Sequence, residues 1–182
     1  MMIEATSTPG VQGRERADLL ETLARHRYFL RFTVAGLTDE QASTRTTVSE
    51  LTLSGLIKHV ADMEKSWVDF IEQGPAAFAT AAAEWNGTDV EQDWLARFRL
   101  TPGQTLADIL EEYAQVARRT ERVIHDLPDL DVDHPLPEAP WVEPGARWSA
   151  RRALLHLLAE TSQHAGHADI IRETLDGAKS MG

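Results

Sequence analysis

The sequence predicts an all-α protein, a bundle of four long amphipathic helices. Three observations predict it. Apolar residues recur at three- and four-residue spacings in four separate segments. Capping residues and glycine or proline breaks bound those segments. No stretch shows the period-two alternation of a half-buried strand. The 182 residues suit one domain, and a hydrophobic content of 42% is enough for a core.

Residues 1–13 are polar, carry Pro9, Gly10 and Gly13, and are expected to form a flexible N-terminal arm before a single domain over 14–177. From Arg14 the pattern turns helical. Leu19, Leu20, Leu23, Tyr28, Leu30 and Phe32 form its apolar stripe, and Gly36 closes it. In the connection that follows, Thr38 and Gln41 have the spacing of a capping box, so a helical turn is expected there. The second helix spans about Thr52 to Gln73 and stops at Gly74-Pro75. An alanine-rich stretch, the turn signal Asn86-Gly87 and the break Pro102-Gly103 come next. Trp94 to Arg99 has room for one short helical turn.

The third helix covers about Thr105 to His125. Thr105 is its N-cap and Asp108 suits the positive end of the helix dipole. Leu106, Ile109, Leu110, Tyr113, Val116, Ala117, Thr120 and Val123 form its apolar stripe. Pro128, Pro135, Pro137, Pro140 and Pro144 then exclude a helix. The last helix runs from the N-cap Ser149 to about Leu175 and ends at Asp176-Gly177.

A net charge of −11 repels phosphate and so argues against nucleic acid and against anionic membrane surfaces. The absence of cysteine excludes disulfides, iron–sulfur clusters and cysteine nucleophiles. No apolar run approaches the roughly 18 residues of a membrane span, and no basic patch with an apolar core opens the chain. A cytoplasmic location is expected. Phosphate-binding and dinucleotide-binding glycine loops and the serine nucleophile elbow are all missing.

Seven histidines occur, and three of them fall on the last helix. At 100° per residue, His156, Glu160, His164 and His167 share an arc of about 80°. That arc borders the apolar face of Leu154, Leu158, Thr161, Ala165 and Ala168. Glu160 and His164 are one turn apart, so both can reach one ion, as in metal sites of bundle cores. An open metal site needs a third ligand. His59 on the second helix offers one, at the edge of the face formed by Leu56, Val60, Met63, Trp67 and Phe70. Taken alone, His59 reads as a hydrogen-bonded core histidine, and Glu160 with His164 as a solvated i,i+4 pair. Their joint position at the core edge favours the metal reading. His156 and His167 flank the pair by one turn and are candidates for supporting the ligands or touching substrate. His26, His125 and His134 read as surface or loop residues. Asp62 and Glu64 read as surface charges.

Two stretches resemble the DinB-like superfamily. Leu51 to Phe70 (LTLSGLIKHVADMEKSWVDF) is similar to its second helix, and Arg147 to Gly177 to its last helix. His164-Ala165-Gly166-His167-Ala168-Asp169 followed by Arg172-Glu173 looks like the actinobacterial branch, as does Gly36 to Leu53. The resemblance implies an up-down-down-up four-helix bundle with a long crossover between the second and third helices. It implies three metal ligands, matching His59, Glu160 and His164. Glutamate at the middle position leans towards mycothiol-dependent members. The implied activity is thiol transfer or isomerisation, in which a low-molecular-weight thiol such as mycothiol attacks a small electrophile as a metal-bound thiolate.

The implied ion is divalent, zinc first, with nickel, manganese or iron as competitors. No catalytic residue beyond the ligands is expected. Arg151 or Arg172 is a candidate for meeting a polar cofactor. A homodimer is implied as well, with Trp85, Trp94, Trp141 and Trp148 as candidate interface residues. The proline-rich segment Asp126 to Arg147 is a candidate cover for the substrate pocket, with Trp141 and Trp148 as walls. Two rival readings stay open: a non-catalytic, stress-related metal-binding protein, and a structural bundle with incidental histidines.

Overall fold

The computed structural model describes residues 11–78, 96–139 and 142–180. Helix α1 spans Val11–Phe32, α2 Asp39–Ser43, α3 Leu53–Gln73, α4 Leu106–Asp126 and α5 Ala150–Asp176. A 3-10 turn, Gly74–Phe78, follows α3. Helix α1 begins three residues before the expected start, inside the proposed arm. The expected N-caps are in place. Thr52 accepts from Gly55 N–H, Ser149 from Arg152 N–H, and Thr38 and Thr105 form capping boxes with Gln41 and Asp108. The backbone after α1 turns at Gly36 with φ 74°, a left-handed value that glycine adopts without strain.

One expectation about secondary structure fails. Asp133–Pro135 (β1) and Arg147–Ser149 (β2) pair antiparallel, with His134 opposite Trp148. Three-residue strands are too short to show a period, and Pro135 hides the first. The pair is fixed by Arg147, whose Nε donates to Asp133 Oδ2 at 3.0 Å. The segment before β1 also serves α5, since Ala150 and Arg151 N–H donate to the carbonyls of Val132 and Leu130. Two orphan donors of the first turn are satisfied that way.

Helix α1 packs mainly along α5, and α3 along both α4 and α5. One core cluster joins Leu56, Ile57, Val60, Ile109, Tyr113, Ala168 and Ile171. A second joins Leu23, Ile71, Ile124, Ala153, Leu154 and Leu157. The stripe expected on α1 is corrected at its second half. Leu23, Leu30 and Val34 are buried, but Tyr28 and Phe32 are 61% and 42% exposed, beside a groove between α1 and α4. Arg27 occupies the core position between Leu23 and Leu30.

Glu64 explains why. It was expected at the surface, yet it is 0% exposed. Arg27 Nε donates to Glu64 Oε2 at 3.0 Å, Nη2 donates to Oε1, and the Thr120 hydroxyl donates to Oε1 as well. The network ties α1, α3 and α4 together. A buried carboxylate without its partner leaves an uncompensated charge or polar group, at a cost of about 3–5 kcal/mol when such a pair is broken. We predict that Arg27→Met alone lowers unfolding stability by that order, read from urea denaturation. The double variant Arg27→Met, Glu64→Leu should recover most of the loss. A single variant as stable as wild type would show that the pair is not buried in solution.

Candidate metal centre

Thr52 and Ser149 fix where α3 and α5 begin, and so the faces that their side chains present. His59 lies seven residues beyond Thr52, and Glu160 and His164 lie on adjacent turns of α5. The structure brings these three together: one ligand atom from each lies within 4.8 Å of the others. His164 Nε2 is 3.5 Å from Glu160 Oε2. The rings of His59 and His164 meet edge to face, with centroids 4.9 Å apart. His164 is buried, while His59 and Glu160 are half-buried.

The donor set fits a divalent ion. Two imidazoles and a carboxylate are a common catalytic set for zinc, and tetrahedral ligands about 2.1 Å from zinc lie roughly 3.4 Å apart. The Glu160–His164 separation already matches, and the 4.8 Å limit leaves only small side-chain rotations. Both histidines are held neutral, as a ligand must be. Burial, reinforced by the charges of His164, Arg97 and Lys58, lowers the His59 pKa to about 4. Burial also lowers that of His164, against the opposing pull of Glu160.

Two residues of the centre escaped the sequence reading. Phe98 stacks on His59 at a centroid distance of 4.0 Å and is buried. Gly55, one turn before His59, makes room for it, because a Cβ there would lie 1.9 Å from the Phe98 carbonyl oxygen. A glycine inside a helical pattern is a weak signal of close approach. Nothing local in the sequence marks Phe98.

The flanking histidines differ. His167 Nδ1 lies 3.4 Å from His164 Nδ1. His156 instead packs edge-on against Trp67 and Trp148, at 5.0 and 5.3 Å. Those two indoles stack at 4.6 Å, and Arg152 covers the Trp148 ring at 4.0 Å. Trp148 is thus held by intrachain contacts and is half-buried. Trp85, Trp94 and Trp141 lie outside the described residues.

His125 is exposed, but His134 is half-buried, and its Nε2 donates to the Ile71 carbonyl at 3.2 Å. Asp62 pairs with Lys58 on the surface, as expected. The two arginines considered for cofactor binding have structural partners. Arg151 binds Glu15 and Asp131, and Arg172 binds Asp176 and the carbonyls of Thr33 and Ala35.

Fold and centre together define a helical protein with a two-histidine, one-glutamate site. The family model described as mycothiol S-transferase matches residues 18–177, and the chain belongs to that family. The match supports the DinB-like, mycothiol-transferase branch expected from the sequence. No curated protein matches the chain. No helix among the described residues is long and apolar enough to cross a membrane.

In the metal-free protein, His59 should titrate near pH 4 in an NMR titration of the imidazoles. Its ordinary pKa is 6.5, so the unfolded chain takes up the proton first as pH falls. The histidine's contribution to stability is therefore full above pH 6.5 and is lost on the way down to about pH 4. Gly55→Ala, which pushes the Phe98 backbone off α3, should raise the His59 pKa towards 6.5. An unchanged titration in that variant would show that Phe98 does not shield the ring.

Proposed function

We propose that the protein is a divalent-metal-dependent thiol S-transferase that joins mycothiol to a small electrophile. The observation that carries this reading is the convergence of His59, Glu160 and His164 in a chain of the mycothiol S-transferase family. In this reading α1, α3, α4 and α5 form an up-down-down-up bundle with the crossover between α3 and α4. His59 and His164 would supply neutral nitrogen donors, and Glu160 a carboxylate.

A divalent cation held there would favour thiolate over thiol at neutral pH. With three protein ligands, a tetrahedral ion would keep a fourth position for the thiol. Glu160 offsets only one of the two positive charges, so the centre keeps a net attraction for an anionic sulfur. Phe98 shields one face of His59 from water. Trp67, Trp148 and His156 form an apolar wall one turn along α5 that suits the non-polar part of an electrophile. Zinc fits the donor set best, and metal availability decides among competitors.

The test combines metal content with turnover. Protein purified without a chelating column should carry about one equivalent of metal. His164→Ala and Glu160→Ala should lose it. The loaded protein should consume a small electrophile faster with mycothiol than without it. Absence of metal, with added zinc also failing to bind, would overturn the site. Bound metal without thiol-dependent turnover would instead favour a metal-binding protein of the same fold.

A further inference from the structure

A metal-ligating histidine has a second ring nitrogen, and the partner of that nitrogen sets both the tautomer and the rotation of the ring. The usual partner is a carboxylate or a backbone carbonyl. His164 differs. Its Nε2 faces Glu160 Oε2 at 3.5 Å, and its Nδ1 faces His167 Nδ1 at 3.4 Å. His167 is half-buried one turn further along α5, with its ring centroid 5.4 Å from that of His164. The nearby carboxylate of Asp169 is engaged elsewhere, accepting from the backbone N–H and hydroxyl of Ser180 at 2.8 and 2.6 Å.

Two nitrogens that face each other form a hydrogen bond only if one carries a hydrogen and the other does not. If His164 presents its Nε2 lone pair to an ion, its single hydrogen sits on Nδ1. His167 must then accept at Nδ1 and carry its own hydrogen on Nε2. We infer that His167 is a positioning residue that accepts from His164 Nδ1–H and locks that ring in the tautomer and orientation that offer Nε2 as a ligand. The inference rests on the metal-site reading above. It requires an acceptor at one place, not a histidine as such. Asparagine puts its side-chain oxygen where His167 has Nδ1, whereas leucine puts a methyl group there and excludes a substituting water.

The experiment measures zinc affinity by competition with a chromogenic chelator in wild type, His167→Asn and His167→Leu. The Leu variant should bind zinc about tenfold to a hundredfold more weakly, the usual cost of losing such a partner. The Asn variant should stay close to wild type. Nitrogen-15 NMR of the zinc-loaded wild type should find His167 protonated on Nε2, a readout that needs no variant to fold. Equal zinc affinity in wild type and His167→Leu overturns the positioning role and leaves the metal site standing. An Asn variant as weak as Leu, or His167 protonated on Nδ1, also overturns it. A wild type that binds no zinc overturns the metal-site reading and this inference with it.

Discussion

Three side chains on two helices can share one ion only if the helices hold their register to about half an ångström. No covalent link does this here, since the chain has no cysteine. Packing and hydrogen bonds set the register of α3 against α5 at both ends. Near the centre, Leu56, Ile57 and Val60 of α3 share a core cluster with Ala165, Ala168 and Ile171 of α5. The alanines allow close approach, so histidines on the two helices come within ring contact. Further along, the stacked pair Trp67 and Trp148 takes over, with His156 wedged against both. The proline-rich segment completes the bracket. His134 donates to the Ile71 carbonyl near the end of α3, while its strand partner Trp148 lies one residue before the N-cap of α5. Gly74 makes this possible, because a Cβ there would lie 2.9 Å from His134 Nδ1. The proline-rich segment therefore helps to place His59, Glu160 and His164.

The rotation of α3 is fixed by a different interaction. His59 and Glu64 are five residues apart, which sets their directions about 140° apart around the helix. His59 looks towards α5, and Glu64 towards Arg27 of α1 and Thr120 of α4. Turning α3 far enough to disengage His59 would pull Glu64 off Arg27 and strand a carboxylate in the core. An ion pair of this kind adds little stability over an apolar replacement, but it penalises wrong packings heavily. That is the form of specificity a two-helix metal site needs.

How much of this was legible follows from what each signal measures. Helix periodicity and caps read local geometry, so the four long helices and the arc of Glu160 and His164 could be read directly. Pairing them with His59 needed only its place at the edge of an apolar face. Glu64 was misread because periodicity assigns every charge to solvent, and its buried pair with Arg27 breaks the pattern on two helices at once. Tyr28 and Phe32 were misread for the same reason, having ceded the core position to Arg27. Phe98 meets His59 from more than 30 positions away in sequence, a tertiary contact with no local trace except Gly55. The fates of Arg151 and Arg172 were equally distant, since Glu15 and Thr33 lie far away in sequence.

The charge balance explains why an ion would choose this site over an acidic surface. With a net charge of −11, cations are drawn to the whole molecule. Yet many of its carboxylates are already matched by arginines: Glu15 by Arg151, Asp69 and Glu72 by Arg119, Asp133 by Arg147, Asp176 by Arg172. Screened pairs of this kind hold a divalent ion poorly. Among the described residues, His59, Glu160 and His164 are the group whose donors converge. Two of the three are imidazoles that burial keeps unprotonated, so at neutral pH the ion displaces no proton from them. The general negative field would gather cations weakly and without preference, and nitrogen donors would then favour an ion that tolerates mixed ligands over magnesium or calcium. Desolvation of the two histidines, set by Phe98 and the packed faces of α3 and α5, is thus what would ready the centre for an ion.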